Sequence, residues 1–388
     1  MKLSKYFYLS LFALSIYSCN SNKTGTEASV KSLIDDLRDA YSSGDQSKWP
    51  KPFLDPTVEK DFKDIGHLPK MVFPADNPYS DAKKDLGKIL FFDRRLSNSQ
   101  QQACASCHNP ELGWTDNIMH SFGHDRQTGN RNAMSVLNSG YASKLFWDGR
   151  AESLEAQALG PIENPVEMNL HLDVAVDRIK SVEGYKALFK AAFGDEEVNK
   201  ERISKAIATY ERTIVSSSTP FDRFIDGDKT ALTDQQIQGL HLFRTKARCI
   251  NCHNGGYFSD NQFRNDGLAY IGNKRFEDLG RYEHTKKPED LGKFRVPSLR
   301  EIMRTQPWMH NGSFTPFIDI LTFYNSGNGS QALEAKQIVT IDGKQYNVKK
   351  DPILQPLNLT REEMEAIEQF MYALSSKPNR VNIPDLPK

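Results

Sequence analysis

The chain has 388 residues, its 50 Lys+Arg balance 50 Asp+Glu, and 38% of it is apolar. That length allows more than one core, so two domains plus a tail is the natural expectation. The even charge argues against a nucleic-acid partner, and a mean hydropathy of −0.59 argues against a membrane-spanning body.

In chain order, Lys2 and Lys5 precede the apolar run Tyr6 to Tyr17, which closes on Ser18-Cys19. A basic stretch before a short apolar one reads as an export signal, too short to persist as a spanning helix. Cys19, followed by Asn-Ser-Asn-Lys, resembles a bacterial lipoprotein cleavage site; Ile16 and Ser18 suit it, while Tyr17 is bulkier than usual. Residues 1–19 are therefore expected to be a lipoprotein signal peptide ending at a lipidated Cys19. The mature protein would lie in the periplasm and touch a membrane only through that lipid. Ordinary secretory cleavage, with Cys19 lost or idle, is the alternative.

Residues 20–80 read as a polar tether with one short helix around Val30 to Tyr41, then a wrapping segment with six prolines between Trp49 and Tyr79. A folded unit begins near Asp81, where Leu86, Ile89, Leu90 and Phe91 share a helical face. It leads into Cys104-Ala105-Ser106-Cys107-His108, a pentapeptide that recurs as Cys249-Ile250-Asn251-Cys252-His253. C-x-x-C-H is the c-type haem attachment pattern. Its two thiols add across the porphyrin vinyl groups, and the adjacent His lies under the iron as proximal ligand. The two copies use four of the chain's five cysteines. A zinc site would instead join both CxxC pairs in one tetrahedron and leave each His without a role. Two covalently bound c-type haems are thus expected and no disulfide. Such attachment takes place outside the cytoplasm, in agreement with an export signal.

The chain also repeats itself. Gly87-x-x-Leu90-Phe91 precedes the first motif and Gly239-x-x-Leu242-Phe243 the second. Ser135 is followed fourteen residues later by Gly149, and Ser298 fourteen later by Gly312, so Trp147-Asp148-Gly149 aligns with His310-Asn311-Gly312. These landmarks define an internal duplication. Glu196 to Ser216 reads as a long amphipathic helix, and the Ser216 to Pro220 run is the expected boundary. Thr233-x-x-Gln236 and Thr360-x-x-Glu363 are capping boxes that open further helices. Strand patterns are scarce apart from a hairpin at 338–348 around Asp342-Gly343. The expected fold is mostly α, with two cytochrome c-like haem domains at 81–219 and 220–388 and long ordered loops. The last helix would pack back on the first domain.

Function turns on what faces each iron opposite His108 and His253. Two strong axial ligands make an electron carrier, whereas an open face binds peroxide. Spacing does not choose among His67, His120, His124, His171, His241, His284 and His310.

Longer stretches are similar to the bacterial dihaem cytochrome c peroxidases, whose superfamily includes the cofactor-maturing enzyme MauG. They are Leu86-Gly87-Lys88-x-Leu90-Phe91-Phe92-Asp93-x-Arg95-Leu96-Ser97, Phe146-Trp147-Asp148-Gly149-Arg150-Ala151 and Pro165-Val166-Glu167-Met168. Phe294-Arg295-Val296-Pro297-Ser298-Leu299-Arg300 and Met309-His310-Asn311-Gly312 continue the match, which runs from about Asp85 to Leu374.

This resemblance implies that the N-terminal haem reacts with peroxide, in a distal pocket of Gln157, Pro161 and Glu167. There Glu167 would shuttle a proton between the peroxide oxygens as their bond breaks; the alternative is a solvated charge or a helix-cap partner. His124, sixteen residues after His108, matches a gating His that blocks the oxidised peroxidatic iron and is missing from MauG-type enzymes. A surface His is the alternative. At the second haem the peroxidases place a Met fourteen residues after the His310 position, where this chain has Tyr324, as MauG does. A phenolate favours Fe(III) and lowers the potential; otherwise Tyr324 packs in a helix while Met309 or Met303 ligates. Trp147 matches the residue that passes electrons between the haems. The Asn132 side chain and the Thr305 and Pro307 carbonyls match a calcium site, and three oxygens plus waters suit that hard cation.

The leading expectation is a peroxidase that reduces hydrogen peroxide with electrons from a small c-type cytochrome or cupredoxin-like donor, with a homodimer as a further expectation from relatives. The rivals are a MauG-like enzyme that uses peroxide-derived oxidising equivalents on another protein, and a non-enzymatic dihaem electron carrier.

Overall fold

The computed structural model describes residues 21–273, 275–327, 337–341 and 343–388. The export signal and Cys19 lie outside the described residues, as does Asp342 of the expected hairpin turn. The architecture is mostly helical, with two pairs of short strands.

Helix α1 (Ser21–Tyr41) is followed by α2 (Asp81–Phe92), whose N-cap Ser80 accepts the Lys83 N–H. The one-turn α3 (Cys104–Cys107) carries the first motif. Then come α4 (Leu154–Glu163), α5 (Leu172–Lys180), α6 (Glu183–Phe193) and α7 (Lys200–Glu211). α7 is shorter than the expected 196–216. Asn199 caps its start by accepting the Arg202 N–H, and past Glu211 the chain turns and runs extended, where Asn138 accepts the Ser216 N–H at 2.9 Å. Helices α8 (Pro220–Ile225) and α9 (Asp234–Arg244) open the second half. β1 (Phe263–Arg264) pairs antiparallel with β2 (Phe294–Arg295) on either side of α10 (Tyr282–Thr285). α11 (Phe317–Asn325), the hairpin β3 (Gln337–Ile341) and β4 (Lys344–Val348), and α12 (Arg361–Ala373) complete the chain. Both expected capping boxes form, Thr233 with Gln236 and Thr360 with Glu363.

The repeat extends to the packing. α2 crosses α7 where Gly87 sits so close that an added Cβ would lie 1.9 Å from the Ala206 carbonyl oxygen and 2.9 Å from Tyr210 Cβ. α9 crosses α12 in the same way, with an added Cβ on Gly239 lying 1.9 Å from the Ala366 carbonyl oxygen and 2.9 Å from Phe370 Cβ. Each crossing therefore admits only glycine without moving a helix. Around them lie two separate cores, one with Leu86, Leu90, Phe91 and Ile207, the other with Ile237, Leu240, Phe243 and Phe370.

The two chain ends cross over these cores. The segment read as a tether is in fact built into the second core: Ile34, Leu37, Tyr41, Trp49 and Ile65 are buried there. The Arg244 guanidinium lies 5.2 Å from the Tyr41 ring and 5.1 Å from the Trp49 ring, pairs with Asp64 and donates to the Pro50 carbonyl at 2.7 Å. At the other end the expectation for the last helix is corrected. α12 packs within the second core through Met364, Ile367 and Phe370, because its apolar face meets α9. It is the chain beyond it that returns to the first half, where the Pro387 carbonyl accepts from Arg95 and the Lys388 carbonyl from the Gly184 N–H.

Candidate active site

His108 caps α3, its N–H donating to the Cys104 carbonyl. Its Nδ1 lies 3.2 Å from the Trp114 carbonyl oxygen. A carbonyl only accepts, so Nδ1 carries the proton and Nε2 is left as a free donor atom. The carbonyl is aimed by a left-handed pair, Gly113 and Trp114, held from behind as Ser135 donates to the Gly113 carbonyl at 2.7 Å. The second motif repeats this: His253 Nδ1 lies 3.1 Å from the Phe258 carbonyl, Phe258 is again left-handed, and Ser298 donates to the Tyr257 carbonyl at 2.5 Å.

Cys104, Cys107, Cys249 and Cys252 are all unpaired. Burial pushes the Cys107 thiol up to about 11 and those of Cys249 and Cys252 to about 12, so they stand as neutral thiols. Among the described residues no group of three or more His, Cys, Asp or Glu is placed to hold a metal ion. Instead one internal cavity of about 450 Å³ is lined both by Cys104, Cys107 and His108 and by Cys249, Cys252 and His253. Free thiols, a free imidazole nitrogen beside each pair and a shared apolar chamber fit two porphyrins.

Across the cavity from the first motif stands α4, capped by Ser153. Gln157 and Pro161 lie four residues apart on one of its faces and both line the cavity. The chain then folds back so that Met168 N–H donates to the Pro161 carbonyl at 3.1 Å. This brings in Glu167, which also lines the cavity and is fixed on both its backbone and its side chain. Its N–H donates to the Asn164 carbonyl at 3.0 Å, and Asn164 Nδ2 donates to Glu167 Oε1 at 2.6 Å. Burial raises the Glu167 pKa, against the pull of Asn164 and Arg150. A buried carboxyl that faces the cavity is placed to move a proton there.

His124 is tied to the same turn, its N–H donating to the Glu167 carbonyl at 2.7 Å. Gly123 lies flush on this turn, since an added Cβ would be 1.9 Å from the Val166 carbonyl oxygen. The imidazole itself is not among the groups lining the cavity. Its Nε2 is 3.4 Å from Asp125 Oδ2 and its Nδ1 is buried without a partner.

Tyr324, on α11, lines the cavity beside the second motif together with Ile320 and Leu321. Its phenol is pushed well up, first by burial and then by Asp266, Cys252 and Cys249. Met309 lines the cavity from a left-handed position next to His310, while Met303 packs against the second core.

Between the two motifs the Trp147 indole N–H donates to the Asn132 carbonyl at 2.9 Å. The Trp147 ring meets His310 edge-on at 6.4 Å, and His310 stacks on Phe294 at 3.7 Å. Burial lowers the His310 pKa to about 4, leaving a neutral imidazole in this stack. Arg131 lies over Phe294 and ties Asp148 of the first half to Asp278 of the second, at 2.5 and 2.7 Å. Asn132 takes its place nearby, donating its N–H to the His310 carbonyl at 2.7 Å and its Nδ2 to Ile118 at 2.9 Å, which leaves Oδ1 over. Thr305 and Pro307 line the same cavity, and no donor among the described residues takes their carbonyls.

Three cavity residues escaped the sequence reading. Glu211, at the end of α7, is buried with Oε2 unpartnered and its pKa pushed up to about 8. Asp266 is raised to about 6 by burial. Arg295 reaches the same cavity with its Nε unpartnered. A charge on the apolar side of a helix was the available signal for Glu211; the other two sit in loop and strand positions with no periodicity to betray them.

Fold and paired sites together define a two-haem redox protein of the cytochrome c-like helical type. A family model described as di-haem cytochrome c peroxidase matches residues 81–230. The chain is 38% identical to cytochrome-c peroxidase IdrP1 of Pseudomonas sp. (strain SCT), covering 83% of this chain and 89% of the relative. It is 36% identical to methylamine utilization protein MauG of Methylorubrum extorquens, over 81% of this chain and 84% of that one. It is also 36% identical to cytochrome c551 peroxidase of Nitrosomonas europaea, over 73% and 86%. Among solved structures, a MauG-like protein associated with microbial copper homeostasis superposes with a TM-score of 0.70 at 29% identity, over 80% of this chain and 95% of that one. The chain belongs to the di-haem cytochrome c peroxidase family. It is an oxidoreductase acting on peroxide.

Proposed function

We propose that the protein reduces hydrogen peroxide to water at the iron held by His108, with electrons arriving through the site held by His253. The observation that carries this reading is the contrast between two matched proximal sites. One faces Gln157 and Glu167, the other Tyr324. Covalent attachment through Cys104 and Cys107, and through Cys249 and Cys252, would hold the porphyrins. When bound, they supply the two electrons that cleave the O–O bond.

The chain's own residues do the rest. Asn164 holds Glu167 by Oε1, so the remaining oxygen is free to take a proton from the bound peroxide oxygen and return it to the departing one. Gln157 offers an amide to orient the peroxide. Two protons and two electrons then turn one peroxide into two waters. Trp147, with neutral His310 against its edge, is the path between the sites. His124 would act as a gate by swinging in from the turn it shares with Glu167. Tyr324 would ligate the second iron, and Asn132, Thr305 and Pro307 would hold Ca²⁺ beside Trp147. The donor would be a small c-type cytochrome or cupredoxin-like protein in the periplasm, with Cys19 as lipid anchor and a homodimer as the assembly.

Tyr324 favours a second reading, a MauG-like oxidation of a protein substrate. Mixing H2O2 with the enzyme and a reduced c-type cytochrome separates the two: rapid cytochrome oxidation supports the peroxidase, and a long-lived oxidised enzyme with poor turnover supports the other. Glu167→Gln is expected to cut peroxide turnover by about 10²-fold or more with both haems still attached. Full activity in that variant would remove Glu167 from the mechanism.

A further inference from the structure

Four arginines are buried among the described residues: Arg212, Arg244, Arg295 and Arg300. Three of them sit on carboxylates. Arg212 pairs with Glu155 at 2.6 Å, Arg244 with Asp64, and Arg300 with Asp222 at 2.9 Å. Arg295 differs. It is only 3% exposed, and no carboxylate among the described residues lies within ion-pair distance. Its Nε is buried without a partner. Its outer nitrogens meet only the Asn261 amide oxygen at 3.5 Å and the Met134 sulfur at 3.4 Å. A guanidinium taken out of water with such weak acceptors costs several kcal/mol unless an anion joins it, so the fold has left a place for one.

The location says which anion. Arg295 lines the shared cavity, and its N–H donates to the Trp147 carbonyl at 2.7 Å. Met134 belongs to the first half and Asn261 to the second, so the Arg295 guanidinium lies on the seam beside the inter-site tryptophan. The neighbouring strand does not compete for an anion, because Arg264 is already paired with Asp260 at 2.6 Å and Asp351 at 3.1 Å. The anion the chamber's own occupant brings is a carboxylate, because each porphyrin carries two carboxylate side chains.

We propose that Arg295 binds a porphyrin propionate at the seam between the halves, through the bidentate geometry that guanidinium and carboxylate share. The inference rests on the two-haem reading above. Arg295 is then a positioning residue: it orients the porphyrin edge toward Trp147, and its charge favours the reduced iron.

The test is spectroelectrochemical titration of the intact enzyme and of Arg295→Gln between pH 5 and 9, with haem content from pyridine haemochrome. With Arg295 present the propionate stays ionised, so the wild-type potentials are expected to change little over this range. In R295Q the midpoint of one haem is expected to fall. It also becomes pH-dependent, because an unpaired carboxylate in an apolar site takes up a proton more readily. Whichever haem moves is the one whose propionate Arg295 holds. Two haems with both midpoints and their pH profiles unchanged in R295Q would overturn the proposal while leaving the peroxidase reading intact; fewer than two haems in the wild type would sink that reading instead. Should R295Q load porphyrin poorly, Arg295→Lys keeps the cation without the fork. The propionate bending bands in its resonance Raman spectrum are then expected to shift, and unshifted bands would overturn the proposal.

Discussion

The two halves are built alike around His108 and His253 and differently across the cavity from them. Left-handed Trp114 and Phe258 present carbonyls to His108 and His253, and left-handed Phe146 and Met309 precede Gly149 and Gly312. The Leu145–Ala151 bridge is answered by Trp308–Phe314. Even the side-chain turns agree: Asp148 Oδ1 accepts the Arg150 N–H at 3.1 Å, and Asn311 Oδ1 the Ser313 N–H at 3.1 Å. The distal helices α4 and α11 each begin five residues beyond the shared glycine. Divergence comes inside them. Eight residues past the glycine the first half has Gln157 and the second Ile320; twelve past it, Pro161 stands opposite Tyr324. A proline has nothing with which to reach a metal, whereas a phenol has an oxygen at the end of a long side chain. On the proposed reading, one scaffold would serve an open site and a filled one by exchanging side chains on a single helix face.

The largest expected effect breaks that contrast directly. Pro161→Tyr gives the first site the second site's residue and is expected to lower peroxide turnover by about 10²-fold or more with two haems retained. Undiminished turnover would mean that the position does not control access. Tyr324→Met is expected to raise the potential of the second haem, since a thioether favours the reduced iron more than a phenolate does; an unmoved potential in a redox titration would contradict ligation by Tyr324. The shared scaffold is tested by Gly87→Ala and Gly239→Ala. Each pushes a methyl into a facing helix backbone, and each is expected to cost about 1–3 kcal/mol in denaturant unfolding. A large loss from one and none from the other would show that the halves do not pack alike.

A pH-dependent effect belongs to the first half alone. The Glu211 pKa is raised from 4.5 to about 8 by burial, so between those values the folded chain holds a proton that the unfolded chain has released. Stability is therefore expected to fall as pH rises from about 5 to 8, by up to about 1.4 kcal/mol per pH unit. Glu211→Gln is expected to flatten that slope. An unchanged pH profile of unfolding would mean that Glu211 is ionised in the fold.

Much of this was legible in the sequence because it is local. C-x-x-C-H fixes two thiols and an imidazole within five residues, capping boxes span four, and the Ser-to-Gly spacing of fourteen repeats without a gap. The mostly helical class followed from those signals. What stayed hidden depends on distant parts of the chain. A polar segment that read as a tether supplies Tyr41 and Trp49 to the second core, about 200 residues away in sequence from Arg244 between their rings. The last helix stayed with α9, and the tail behind it crossed over instead. Glu167 carries its meaning through Asn164, and His124 through the Glu167 carbonyl, relations that only the fold of the 164–167 turn reveals. Arg295 is one arginine among many until its missing carboxylate is seen.

Two like-built haem sites are expected to differ in whether the distal face is free. Carbon monoxide titration of the fully reduced protein, normalised to haem content, measures this directly. The expected result is two haems per chain and one bound carbon monoxide. Two bound per chain, or none, would contradict it.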